Sequence, residues 1–527
     1  MKKAESRSNF DGISRGILAL FVFAIFCVSA NITASYGTEP DFSGTDETRK
    51  IIKQSRKLTR AGLLDDAEKM LRRAIETDSR STSAKVELAF VLSKQRRLGE
   101  AYNLVFPVAE AEPENSRAYA VLGAVLLAAG RFNDARLIFY NSLRLNRSED
   151  LGWAGIGLVE FYENKIPQSL INIKEAVFHN ANEPDYLFAL AQISARAERY
   201  GEAADAYYRF LSVSKDTDKD RRERIKGLIK FLQFLGHKQA LYYSSGNDSS
   251  KVKFELVGNR PIITVQVNGR NEPLRFVLDT GSGITVISDK TAKMLKVKSI
   301  TRGGHAKGIG GDGRFEIVYG FLQQVDIGKV AVRNVPVYIR EFHDPTQKID
   351  GYIGLALISK FLTTIDYGSK TFTLTKKDND AREFRENGAM SLPLRLTSSG
   401  FLSGEVQLEG INSSLNFIVD TGASVSVISD RVANEKEILP HLSEEKLRVI
   451  GAAGITEGVP SYMLPRVTFG SHSRRWIEAI ALDLDLINEA SGFEQSGILG
   501  GNFLKNYSLT FDFRNSKVTF TSVTPEN

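Results

Sequence analysis

Small and apolar residues recur through the first half of the chain at a fixed interval of 34. Ala67, Ala101, Ala135, Ser169 and Ala203 form one such column. Twelve residues before each stands Ser55, Ala89, Gly123, Gly157 or Ala191, and three before each stands Leu64, Leu98, Phe132, Ile166 or Tyr200. Four after each comes Leu71, Val105, Phe139, Ile173 or Tyr207. Columns of this kind predict antiparallel helix pairs, because small residues let two helices approach and larger ones fill the space between stacked pairs. Five such repeats are expected over 48–217. A Lys/Arg-rich helix over 219–236 is expected to cap the last pair, and the polar stretch 243–250 to complete a cap-and-linker segment over 218–250. Beyond residue 251 short alternating apolar runs broken by Gly and Asn predict strands, among them 251–256 and 262–267, with Asn268-Gly269 as a hairpin turn.

The second half also repeats itself. The block 276–289, Phe-Val-Leu-Asp-Thr-Gly-Ser-Gly-Ile-Thr-Val-Ile-Ser-Asp, returns 141 residues later as 417–430, with eight of fourteen positions identical. A glycine segment follows each copy: Ile353-Gly354 lies 75 residues after Asp279, and Leu499-Gly500 lies 80 after Asp420. Two β-lobes are therefore expected, over 252–378 and 386–525. In each, an Asp-Thr-Gly triplet after three apolar residues presents a carboxylate at the end of a buried strand, and the glycine leaves room for a tight turn. Two such loops face to face bring two carboxylates together. Like charges at that range cannot both ionise, so the pair holds one proton. One member then takes a proton from water while the other polarises a carbonyl, which is general acid–base attack on an amide without a covalent intermediate.

The Asp-Thr-Gly blocks and their glycine segments resemble the retropepsin and pepsin-like aspartic peptidases. That resemblance implies Asp279 and Asp420 as the catalytic pair, supported by Thr280, Gly281 and Ser282 in one loop and Thr421, Gly422 and Ala423 in the other. Gly354 and Gly500 take the place of the family's glycines packed against the catalytic loops. It also implies glycine-rich flaps over the substrate, for which Gly308, Ile309, Gly310 and Gly311 are candidates in the first lobe and Gly451, Ala452, Ala453 and Gly454 in the second. The helical half resembles the tetratricopeptide repeat (TPR) through Trp153-x-x-Ile156-Gly157, Tyr119-x-x-Leu122-Gly123 and Pro113. The expected class is thus a multidomain chain, an all-α TPR solenoid followed by two all-β retropepsin-like acid-protease lobes. The solenoid implies a protein or peptide partner on its concave surface.

Composition changes little. The 527 residues carry a formal net charge of +6, and Lys and Arg are dispersed among acidic residues, which does not mark a nucleic-acid surface. One cysteine, Cys27, leaves the domains without a disulfide, thiolate nucleophile or cysteine metal site. Gly308 to Gly313 fits G-x-G-x-x-G, but the strand-like residues after it leave no helix N-terminus for a phosphate. No cofactor or metal is expected. Lys2, Lys3, Arg7 and Arg15 precede an apolar run over 16–28 and the small residues Ser29 and Ala30. This is the layout of a secretory signal over 1–30, with an uncleaved anchor over 16–38 as the alternative. Either version places the domains outside the cytoplasm, in the periplasm or secreted.

The two loops are not equal. Ser282 has a hydroxyl to offer the Asp279 carboxylate and Ala423 has none for Asp420, so Asp279 is expected to be the ionised member. Ser424 is the residue able to undo that asymmetry by turning inward. We expect an extracytoplasmic aspartic endopeptidase with a partner-recruiting array and a monomeric active site. The alternatives are a peptide-gripping clamp without turnover and lobes that pair between chains.

Overall fold

The computed structural model describes residues 46–215, 218–238, 240–344, 348–376 and 389–524. The signal or anchor segment, like the stretch where the first lobe was expected to end and the second to begin, lies outside the described residues. No helix among the described residues is long and apolar enough to cross a membrane. The chain divides into a helical unit and a β-rich unit.

Among the described residues ten helices make the array: α1 (Asp46–Arg60), α2 (Leu64–Thr77), α3 (Thr82–Lys94), α4 (Leu98–Ala111), α5 (Ser116–Ala128), α6 (Phe132–Leu145), α7 (Asp150–Tyr162), α8 (Ile166–His179), α9 (Pro184–Arg196) and α10 (Tyr200–Val213). From α2 onward, every second helix starts 34 residues after its predecessor, as the columns predict. Ala67, Ala101, Ala135, Ser169 and Ala203 are fully buried. The small column explains itself at two points. A Cβ on Gly123 would stand 2.7 Å from the Phe139 ring, and Gly157 lies where the Ser169 hydroxyl donates to its carbonyl at 2.6 Å. Side chains close the N-termini of α3 and α5, Ser81 accepting from the Ala84 N–H and Asn115 from that of Ala118.

The β-rich unit takes in Tyr162–Lys165 and Arg199–Ala204 and runs on unbroken from Lys219, starting with α11 (Lys219–Gly236). The first lobe then runs β1 (Tyr243–Gly246), β2 (Ser249–Lys253), β3 (Glu255–Val257), β4 (Arg260–Val267), β5 (Leu274–Leu278), β6 (Thr285–Ser288), α12 (Asp289–Met294), β7 (Thr301–Lys307), β8 (Arg314–Ile327), β9 (Val330–Arg340), β10 (Gly351–Ile353), α13 (Leu355–Ile358), β11 (Phe361–Asp366) and β12 (Thr371–Lys376). The second repeats much of that order as β13 (Ala389–Pro393), β14 (Arg395–Leu396), β15 (Leu402–Leu408), β16 (Leu415–Val419), β17 (Ser426–Ser429), α14 (Asp430–Ala433), β18 (Leu442–Gly451), β19 (Gly454–Phe469), β20 (His472–Leu482), α15 (Asp485–Ser491), β21 (Gly497–Leu499), α16 (Gly501–Leu504), β22 (Tyr507–Asp512) and β23 (Lys517–Ser522).

Among the described residues each lobe has its own sheet, and a third sheet of six strands, in the order β13-β23-β22-β11-β12-β2, is built from both lobes. Its centre is the antiparallel pair β11–β22, with Thr363 opposite Phe511 and Asp366 opposite Ser508. Ile365, Phe372, Leu509, Phe511 and Phe520 alternate inward along these strands and are fully buried. This shared sheet is what holds the two lobes in one orientation.

The 219–236 helix does more than the expected cap requires, and two other expectations need correction. The 219–236 helix spends its apolar face on the first lobe: Phe231 stacks on Tyr319 at 4.4 Å between centroids, and Gly227 lies against the backbone of Arg302 and Gly303. Phe231, Leu232 and Leu235 satisfy any apolar neighbour, so amphipathicity alone could not choose the strand β7. The expected linker is sheet, because β1 pairs with β9 and β2 with β12. The expected strand over 251–256 breaks at Phe254, sending β2 to the shared sheet and β3 to the lobe's own. The turn at Asn268-Gly269 forms as predicted, with φ of 53° and 71°.

Candidate active site

Asp279 and Asp420 each follow the last residue of a strand held between others. β5 runs parallel to β10, and β16 parallel to β21, so the strand ahead of each aspartate is clamped in a buried sheet. The Asp279 N–H donates to the Ile353 carbonyl at 3.0 Å, and the Asp420 N–H to the Leu499 carbonyl at 3.0 Å. The next residues are held from the same side. Leu355 and Ala356 donate their N–H groups to the carbonyls of Ser282 and Gly283 at 2.8 and 3.0 Å, and Gly501 donates to Ala423 at 2.7 Å. Gly354 and Gly500 permit this approach. A Cβ on the first would meet the Ile284 carbonyl at 2.5 Å, and on the second the Val425 carbonyl at 2.6 Å.

The two loops lock together through their threonines, both fully buried. Thr280 Oγ1 donates to the Val419 carbonyl at 2.7 Å and accepts from the Thr421 N–H at 3.0 Å. Thr421 Oγ1 returns the pattern, donating to Leu278 at 2.7 Å and accepting from Thr280 at 3.1 Å. Four hydrogen bonds related by a pseudo-two-fold thus fix one loop on the other, and both buried hydroxyls are satisfied. The glycines of the triplets face the opposite aspartates. A Cβ on Gly281 would lie 2.4 Å from the Asp420 carboxyl carbon, and one on Gly422 2.6 Å from Asp279 Oδ1. Within each loop the glycine N–H donates to its own aspartate, at 2.9 Å for Gly281 and 2.7 Å for Gly422. Each carboxyl thus lies against the other loop's glycine, close enough for its charge to act on the other. The structure therefore brings Asp279 and Asp420 into one site within a single chain.

Their environments differ as the Ser/Ala exchange implies. Removal from water pushes both carboxyls up. The Ser282 side chain beside Asp279 draws it back toward the ionised form, helped by Asp420, the Gly281 N–H and the charge of Arg340. Asp420 is driven well above the ordinary carboxylate range by burial and then by the charge of Asp279 beside it. As a coupled pair they favour Asp279 ionised and Asp420 protonated. Ser424 does not restore the balance: it stands beside Gly258, and its carbonyl accepts from Asn259 Nδ2 at 3.1 Å. Ser282→Ala removes a donor to the ionised form, which raises the lower pKa of the pair. The acidic limb of kcat/KM should therefore move to higher pH in a pH–rate profile. An unmoved limb would reject this role for Ser282.

The flap candidates also meet. Residues 308–313 turn between β7 and β8, the Gly308 N–H donating to Gly313 at 3.0 Å, while Ala452 and Ala453 form the turn between β18 and β19. Across the lobes, the Ala453 N–H donates to the Ile309 carbonyl at 2.9 Å and the Gly311 N–H to that of Ile455 at 3.3 Å. Gly310 and Gly451 sit where a Cβ would strike the opposite flap backbone at 2.1 Å. Glycine is thus required by close approach at both tips. His305 is exposed, and its carbonyl accepts from Arg224.

One charged group near the pair was not anticipated. Arg340 ends β9, its guanidinium over the rings of Phe342, Phe315 and Tyr352 at 4.9, 5.7 and 5.7 Å, and its Nη1 donates to the Ala452 carbonyl at 3.3 Å. No sequence motif surrounds it. Only the strand register, which lays Arg340 beside Ser288 at the end of β6, brings it toward the site.

Known proteins show the same two parts. Residues 263–357 match the family model described as aspartyl protease, 405–506 the one described as gag-polyprotein putative aspartyl protease, and 155–218 the tetratricopeptide repeat. Anaphase-promoting complex subunit 3 of Schizosaccharomyces pombe is 23% identical over 155 residues, 29% of this chain, and the match spans 23% of that protein's length. Among solved structures, a thermophilic TPR protein from Thermus thermophilus is similar at 20% identity and a TM-score of 0.30, over 34% of this chain and 98% of that one. The aspartic proteinase from Irpex lacteus is similar at 15% identity and a TM-score of 0.36, over 52% of this chain and 97% of that one. By its family matches, the chain joins tetratricopeptide-type helical repeats to two lobes of aspartyl-protease type.

Proposed function

We propose that this chain is an extracytoplasmic aspartic endopeptidase that hydrolyses protein or peptide substrates, with its helical array recruiting the substrate or a protein partner. The observation that carries the proposal is the paired site itself. Two carboxyls face each other, each packed on the other lobe's glycine, inside loops cross-linked by Thr280 and Thr421. Asp279, as carboxylate, takes a proton from a water set between the pair and the scissile carbonyl. Asp420, as acid, donates to the carbonyl oxygen, and collapse of the tetrahedral intermediate releases the amine after proton transfer. The joined flaps would have to part for substrate to enter and could close again over it. The location rests on the basic and apolar order of residues 1–38.

A test is to incubate the full chain with an unfolded protein over a range of pH and read the products by mass, with an added amine nucleophile present. Cleavage inside the chain, without amine adducts, is expected for direct water attack. Amine-trapped products would reveal a covalent intermediate and overturn the mechanism. A second reading, a clamp without turnover, is favoured by the flap-to-flap hydrogen bonds. It predicts peptide binding with no product at any pH.

A further inference from the structure

Arg340 carries more than its effect on Asp279. It spans the space between the two parts of the site that would enclose a substrate. On one side is Tyr352, whose neighbour Ile353 holds the Asp279 backbone. On the other is Ala452, at the tip of the second flap. Aromatic rings of Phe315, Phe342 and Tyr352 flank the guanidinium. Nη1 is committed to two carbonyls, Ala452 at 3.3 Å and Glu341 at 3.1 Å. Neither Nε nor Nη2 has a partner among the described residues, and no carboxylate among them forms an ion pair with the group.

A partly desolvated guanidinium without a counter-ion is costly, and a half-buried structural arginine elsewhere in this chain avoids it. Arg117 is paired to both Glu87 and Glu149, at 3.1 and 3.0 Å. At Arg340 burial favours loss of the proton, opposed by Tyr352 and Asp279. The Asp279 carboxylate is engaged with Ser282, Gly281 and Asp420 instead. The open Nε–Nη2 edge has the planar, two-donor geometry that matches a carboxylate.

We infer that Arg340 is a specificity-determining residue: the cleft takes peptides bearing a Glu or Asp side chain at the subsite bounded by Tyr352, Phe342 and the second flap. The aromatic walls hold the side-chain methylenes, and the Nε–Nη2 edge binds the carboxylate at two points. This rests on the endopeptidase reading for its cleavage readout, but not for its binding readout.

The experiment profiles the full chain with a peptide library randomised around the scissile bond. In parallel, reduced-amide peptides that cannot be cleaved, with Glu, Gln or Lys at the selected position, are titrated by fluorescence anisotropy. Wild type should prefer the acidic peptide over its amide counterpart by about ten- to hundredfold. Arg340→Glu should reverse the preference toward Lys, and Arg340→Lys should keep an acidic preference at reduced strength. An arginine that merely tethers the flap predicts something else, an equal loss for all peptides in both variants, and that result overturns the inference. So does equal affinity of wild type for the Glu and Gln peptides. Acidic preference in binding with no cleavage by wild type would sustain the inference while the endopeptidase reading falls. Thermal melts of both variants identify misfolding, and the Lys variant alone decides the matter if the Glu variant does not fold.

Discussion

Asp420→Asn should lower kcat/KM by about a hundred- to ten-thousandfold while the chain keeps its fold, the range by which positioned acid–base groups accelerate such reactions. Asn fills the same volume and its amide oxygen still accepts the Gly422 N–H, so the loop keeps its geometry. What it loses is the proton that Asp420 would give the scissile carbonyl. A second consequence has a definite sign. In the folded chain Asp420 titrates well above its ordinary value of 3.8, because of burial and the charge of Asp279. As pH rises past that ordinary value, the unfolded chain sheds the proton and the folded chain keeps it. Stability contributed by this group is therefore full at low pH and lost as pH climbs toward the folded pKa. The amide introduced by Asp420→Asn does not titrate, so the variant's stability should fall less across that window. Peptide cleavage and thermal melts from acid to neutral pH check both. Retained cleavage would falsify the shared mechanism.

Gly281→Ala should cost about a hundredfold or more in kcat/KM, the scale set by displacing a reacting group by an ångström. The added methyl would lie 2.4 Å from the Asp420 carboxyl carbon, far inside contact distance. No unusual φ is needed at Gly281, so the conflict is one of space alone. The atom in the way belongs to a side chain that can rotate, so the fold should survive with the carboxyl turned off the site. Kinetics and a melting curve together give the readout, low activity with a small change in Tm. Normal activity in Gly281→Ala would mean that the two loops do not face each other as described.

The chain's repeats were legible because they are local. A helix pair writes its contacts into the columns at Ala67, Gly123 or Phe139, and a half-buried strand writes its alternation into 262–267. The duplicated blocks showed two equivalent carboxylates, and Ser282 against Ala423 showed that they would not titrate alike. Misreadings fell where one amphipathic surface could serve several neighbours. The 219–236 helix gave no sign of its seat on the first lobe because apolarity does not name a partner, and 243–250 read as linker because short polar edge strands owe their pairing to distant strands, β9 and β12. Arg340 was invisible for the same reason, being one basic residue at a strand end.

By itself, then, the sequence determined the number and kind of parts: stacked helix pairs with a period of 34, and two β-lobes each ending a strand on Asp-Thr-Gly. Periodicity and duplication are short-range properties of the chain, so they survive in one dimension. Only the tertiary structure decided that the two lobes close on each other within one chain, through β11 against β22 and Thr280 against Thr421. It likewise decided that Arg340 lies between the flap and the aspartates. Apart from the approach of Arg340 to Asp279, those contacts join residues more than a hundred positions apart, and all are set by packing and hydrogen bonding between surfaces that no local pattern encodes.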